Sequence, residues 1–178
     1  MKMMENEEYK IEVLEKQYGS VRDFLHHYIT FKELQKNHDK FNGSVFWKLT
    51  SDAHLLQAIL YWTTVFGSFN NEIHLNKLDD ENRAKNDFNT KLLIHLNFSK
   101  EEWETYRKSM INFRNKFIAH QNPRFNNPVP ILDVAYKCAL FYDEWIEEYV
   151  KPDFFTGLSI AEMIEEYKQE VEGLLKNF

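Results

Sequence analysis

The sequence predicts an all-α fold, an up-and-down bundle of about five to seven helices. Apolar residues recur at i, i+3 or i+4 and i+7 along most of the chain, the period of one helical face. Only five Gly and four Pro punctuate 178 residues, too few for a many-stranded sheet with its turns. Three Ser residues, Ser20, Ser99 and Ser159, are each followed three positions later by Asp or Glu, the pattern of a helix-starting capping box.

In order, Ile11, Leu14 and Tyr18 mark a first helix from Glu7 to Tyr18, closed by Gly19. Ser20 with Asp23 opens a second, with Phe24, Leu25, Tyr28, Phe31 and Leu34 inward, running to about Phe41. Asn42-Gly43-Ser44 is a turn, and the helix after it, through Leu49, Leu56, Ile59 and Val65 to Gly67, is apolar almost all round, which predicts a central position. Residues 69–78 read as an irregular connection. A charged helix follows over about 80–96, with Phe88, Leu92, Leu93 and Leu96 on its apolar face. Ser99 with Glu102 starts a helix containing Trp103, Tyr106, Met110, Phe113 and Phe117, which Asn122-Pro123 must stop. The next spans 131–150, ended by Lys151-Pro152, and Ser159 with Glu162 caps the last, carrying Ile160, Ile164, Tyr167, Val171 and Leu174. The length suits one helical domain over residues 1–178, with 151–178 as a C-terminal helical extension.

Composition narrows the function. A net charge of −6 disfavours a protein that coats nucleic acid through phosphate neutralisation over its whole surface, so a polyanion would have to meet a local patch. Cys138 is the only cysteine, which allows neither an intrachain disulfide nor a cysteine metal cluster, and its apolar helical neighbours predict a buried, inert thiol. No run of 18 apolar residues occurs, and the first ten residues carry three glutamates, so a cytoplasmic protein without membrane attachment is expected. None of His26, His27, His38, His54, His74 and His95 forms an HExxH pair, and no glycine-rich phosphate loop or GxSxG elbow is present. Neither a metal site nor a cofactor is expected.

The stretch Phe113-Arg114-Asn115-Lys116-Phe117-Ile118-Ala119-His120 breaks this regularity. At about 100° per residue, with Arg114 at zero, Trp103, Tyr106, Met110, Ile111, Phe113, Phe117 and Ile118 lie between roughly −100° and +60°. Arg114 sits inside that apolar arc, as the one charge that contradicts the pattern. A guanidinium there needs a carboxylate such as Asp52, an escape route to water past Phe117, or an anion in a cleft. The residues from Thr105 to Leu132 contain no Asp or Glu, where the chain average would place about four, yet hold Arg107, Lys108, Arg114, Lys116 and Arg124. An acidic chain has set aside one basic zone, suited to phosphate. Arg107, Lys116 and Arg124 are the candidate substrate-binding residues. His74 joins them if its loop lines the same cleft, the alternative being a plain surface histidine. Arg114 and His120 lie roughly 120° and about 9 Å apart on a regular helix, so they meet only if the last turn unwinds or a two-fold dimer sets two such helices side by side.

Arg114-Asn115, four residues, then His120 resembles the signature of the HEPN superfamily, all-helical proteins of bacterial toxin and phage-defence systems. The longer pattern, Phe46-Trp47-Lys48-Leu49, Trp62 with Phe66-Gly67-Ser68, Glu72-Ile73-His74 and Glu102-Trp103, is similar to the abortive-infection branch and covers about Tyr28 to Pro123. The resemblance implies a HEPN-like helical bundle and metal-independent RNA cleavage by a homodimer. Arg114 would hold the scissile phosphate, His120 would act as general acid or base, and Asn115 would orient the site. It also implies RNA as substrate and an antitoxin or regulatory protein as a partner. Members paired with nucleotidyltransferase antitoxins carry a tyrosine two residues after the histidine, where this chain has Asn122. A noncatalytic helical dimer that binds a partner protein or nucleotide, with Arg114 structural, is the alternative.

Overall fold

A computed structural model describes residues 11–41, 43–79, 81–119, 128–150 and 159–176. They form six α-helices and no strand: α1 (Ile11–Lys36), α2 (Val45–Phe66), α3 (Arg83–Leu96), α4 (Lys100–Phe113), α5 (Leu132–Val150) and α6 (Ile160–Leu175). The all-α expectation holds. Short 3-10 turns cover His38–Phe41 and Leu75–Lys77, and α4 passes directly into a π-helical segment, Arg114–Ala119.

The two helices expected on either side of Gly19 are one. Leu14, Gln17, Val21, Phe24, Leu25 and Tyr28 are all buried, so the inward stripe runs through the glycine unbroken, and packing on both sides outweighs its low helical propensity. Ser20 and Asp23 therefore lie in mid-helix and cap nothing. The two other capping boxes form: the Ser99 hydroxyl accepts from the Glu102 amide at 3.2 Å while Glu102 accepts from the Ser99 amide at 2.7 Å, and Ser159 pairs with Glu162 in the same way.

The core is built on α1 to α5, with Trp62, Phe66, Phe88, Tyr142 and Trp145 as its large side chains. Only the C-terminal half of α2 is central, through Leu55, Ala58, Ile59, Trp62, Val65 and Phe66. Its first half leaves Val45, Phe46 and Leu49 more than three-fifths exposed, so the expectation of an all-round buried helix fails there. The α6 helix contributes Ile160 and Ile164 to the main core, while Val171 and Leu175 join Leu34 and Phe41 in a smaller cluster. Its first turn is docked on α5 by the Ala161 amide donating to Asp143 Oδ2 at 2.9 Å.

Polar ties fix the frame around α4. Trp145 donates to Asp87 at 2.8 Å, which holds α5 to α3. Tyr106 donates to the Ile131 carbonyl at 2.9 Å and accepts from the Ala135 amide at 3.1 Å, which holds α4 to the start of α5. Cys138 is fully buried, and burial pushes its thiol pKa well up, as expected of an inert cysteine. Among the described residues no helix is long and apolar enough to cross a membrane.

Candidate functional site

The α4 helix is the spine of both basic loci. Its capping box fixes its start, and Trp103, Arg107, Met110 and Phe113 are buried along it. At Phe113 the α-helical ladder gives way to the π-helical segment, which packs against α2. The segment is a widened coil that begins at Arg114 itself.

Arg114 is half-buried. Its Nε is buried without a hydrogen-bond partner, and no carboxylate among the described residues pairs with it. Asp52 does not fill that role: it is exposed and lines a different hollow with His38, Trp47 and Lys48. Asn115 and Lys116 are exposed, and Phe117 is 46% exposed while packing at 4.9 Å against Phe113. His120 and Arg124 lie outside the described residues.

The second locus was only half visible in the sequence. Seven residues before Arg114, Arg107 lies within about 20° of it around the helix, so the apolar stripe carries two arginines and not one. Arg107 is the deeper, 8% exposed. Its Nη1 donates to the Gly67 carbonyl at 2.6 Å, its Nη2 to Glu104 at 2.8 Å, and its guanidinium lies 4.5 Å from the centre of the Phe69 ring. The Nε is buried and bonds nothing. Far from sharing an outer face with Lys116, Arg107 points into a cavity of about 200 Å³ between the 67–79 loop, α3 and α4.

His74 lines the same cavity. It is 3% exposed, so the plain surface histidine is excluded, and the structure gathers it with Arg107. Two long-range bonds hold its loop: Gln17, fully buried, donates to the His74 carbonyl at 3.1 Å and accepts from Tyr142 at 2.9 Å. The Asn76 backbone amide donates to His74 Nδ1 at 3.0 Å, and the ring meets Phe69 edge-on at 5.0 Å. Burial holds the imidazole down to about 4, so it is neutral at pH 7. Lys85, Asn86 and Asn89 of α3 and Lys100 of α4 complete the polar lining, and Lys85 Nζ stands 4.2 Å from the Phe69 ring centre. Sequence reasoning missed Lys85 and Lys100. The signal available was Arg107 itself, a heptad from Arg114 and i+4 from Trp103.

On the other side of α4 a wide apolar groove of about 960 Å³ runs between Phe98, Thr105, Ser109 and Phe113 and the segment holding Val129 and Ile131, the last 70% exposed. No group of three His, Cys, Asp or Glu residues with metal-binding geometry occurs among the described residues. Comparison with protein-family models, with curated proteins and with solved structures returns no match for this chain.

Proposed function

We propose that this chain is a HEPN-type, metal-independent endoribonuclease of a bacterial toxin or phage-defence system, acting as a cytoplasmic homodimer. The observation that carries the reading is Arg114: a half-buried guanidinium in an apolar stripe, its Nε buried without a bond and no carboxylate beside it among the described residues. A fold rarely keeps a cation there for stability, because desolvation costs several kcal/mol that an ion pair would have to offset. An anion that visits the site explains it.

In this reading the ribose 2′-hydroxyl attacks the adjacent phosphorus. The 5′-oxygen of the next nucleotide leaves, and a 2′,3′-cyclic phosphate remains. Arg114 holds the phosphoryl oxygens as negative charge builds on them. His120 takes the hydroxyl proton or protonates the leaving oxygen, the acid–base role for which an imidazole is suited. Asn115 orients the strand, and exposed Lys116 with Arg124 steers it. The nucleophile is already part of the substrate, so the step asks for no metal-bound water. The apolar groove beside Val129 and Ile131 suits a second copy, and an antitoxin or regulatory protein is the candidate partner that restrains the activity.

Digestion of RNA by the purified protein in EDTA tests the reading. Arg114→Ala and His120→Ala should each lower cleavage by about 10²-fold or more, with the circular dichroism spectrum and melting temperature unchanged. If Arg114→Ala instead unfolds the chain, the noncatalytic helical dimer with a structural arginine takes its place. Activity that disappears in EDTA would replace the metal-independent step with a metal-assisted one.

A further inference from the structure

The cavity around Arg107 is electropositive in a chain of net charge −6. Three cationic side chains line it, Lys85, Lys100 and Arg107, against one carboxylate, Glu104. The charges that act most on His74 are likewise all positive, from Lys85, Arg107 and Lys77, though burial is the larger cause of its depressed pKa. Lys85 and Arg107 are both drawn onto the ring of Phe69, an arrangement that crowds two like charges on one quadrupole. The single carboxylate is already engaged by Arg107 Nη2.

The Arg107 side chain is nine-tenths buried, and its Nη atoms are held by Gly67 and Glu104 while its Nε has no partner. A buried guanidinium with one compensating carboxylate leaves fixed positive charge that an anion in the cavity would offset. The aromatic rings are already committed: Phe69 to the two cations and His74, and Trp103 to Trp62 and Tyr106. The site is therefore shaped for an anionic head group more than for a stacked base. Its excess of two positive charges matches the −1.5 to −2 or so of a phosphate monoester at pH 7, and about 200 Å³ admits a phosphate with a small polyol behind it. Asn86 and Asn89 can bond the ester's hydroxyls.

We propose that this cavity is a second anion site, separate from Arg114, that takes the terminal phosphate of a phosphate monoester, with Lys85 and Lys100 as its donors and the buried Arg107 guanidinium as its fixed positive charge. The same dianionic group occurs on small phosphorylated metabolites and on the 5′ end of a processed RNA strand. The inference does not rest on the ribonuclease reading, because neither Arg114 nor His120 takes part in it.

Isothermal titration of the full chain at low salt tests it with inorganic phosphate, ribose 5-phosphate, ribose, and one short oligoribonucleotide carrying either a 5′-phosphate or a 5′-hydroxyl. Arg107→Ala risks the fold by stripping the Gly67 carbonyl of its donor, so the variants of choice are Lys85→Gln and Lys100→Gln. Ribose 5-phosphate should bind where ribose does not, and each lysine variant should weaken it about tenfold. Glu104→Gln should tighten it, by removing the competing carboxylate, and Arg114→Ala should leave it unchanged. Binding by the 5′-phosphorylated strand alone would uphold the site and identify the strand end as its ligand. The proposal is overturned by silence from phosphate, ribose 5-phosphate and the 5′-phosphorylated strand together, by affinity undiminished in both lysine variants, or by affinity lost in an Arg114→Ala variant whose circular dichroism and melting match wild type, which would place the phosphate at the other arginine.

Discussion

Acidification should destabilise this protein through His74, and the size of the effect can be worked out. Burial lowers the folded-state pKa of His74 from an ordinary 6.5 to about 4, against the opposing pull of Asn76 Oδ1, which lies 2.7 Å from Nδ1 and favours the protonated ring. The unfolded chain therefore takes up the proton first as pH falls. Stability from this group is complete above about pH 6.5 and drains away between there and about pH 4, where the folded form protonates as well. At 1.36 kcal/mol per unit, His74 alone should remove about 2 kcal/mol by pH 5 and about 3 kcal/mol by pH 4. His26, His27 and His54 are also depressed by burial and act in the same direction, so the assay must isolate one histidine. Urea unfolding of wild type and His74→Gln at pH 7.5 and pH 5 does so, since every other titration cancels in the comparison. Wild type should lose about 2 kcal/mol more than the variant over that interval. Equal losses would refute the reasoning, as would a proton NMR titration in which the His74 ring protonates near pH 6.5.

Two glycines should respond in opposite ways to one substitution. Gly19→Ala, with open space around the added Cβ in mid-α1, should stabilise by about 1 kcal/mol in thermal melts. Gly67→Ala would put a Cβ 2.5 Å from the Thr63 carbonyl oxygen and should destabilise by about 2 kcal/mol or more, loosening the carbonyl that Arg107 grips. Gln17→Leu should cost about 2 to 5 kcal/mol in urea unfolding, because it leaves the Tyr142 hydroxyl and the His74 carbonyl both buried without their partner. It should also speed proteolysis within the 67–79 loop; an unchanged digestion pattern would show that the loop is held by other contacts.

Features decided within one helical turn were legible in the sequence. The Ser99–Glu102 and Ser159–Glu162 boxes form because both partners are three residues apart and nothing else competes for them. Ser20–Asp23 has the same spelling and fails, since burial of Leu14 and Gln17 on one side and of Val21 and Phe24 on the other carries α1 straight through. The anomaly of Arg114 was legible too, because helical periodicity alone puts a cation in an apolar stripe. What periodicity could not supply was the partner list. The Gly67 carbonyl that satisfies Arg107 is 40 residues away, and the Gln17 side chain that pins the His74 loop bonds across 57 residues to His74 and 125 to Tyr142. Those distances close only when the bundle does.

Arg107 of α4 and Arg114, the first residue of the π-helical segment, are best understood against each other. They share one stripe around the axis, Arg107 within α4 and Arg114 at the start of the π-helical segment that continues it, and each carries a buried, unbonded Nε. For Arg107 the fold answers the cost of burial with a backbone carbonyl, a carboxylate and an aromatic ring, and leaves one nitrogen over. For Arg114 no described residue supplies a comparable answer, and the backbone changes from α to π at that residue. The two differ in how much of the guanidinium the chain itself holds: both Nη atoms of Arg107 are bonded, and only its Nε is left over. If Arg114 were structural, selection for stability would have favoured leucine or methionine at that point of the stripe, because an apolar side chain fills the same space without an unmade bond. A guanidinium there, a heptad from one whose Nη atoms the fold already holds, is the physical reason to look for an anion at the end of α4.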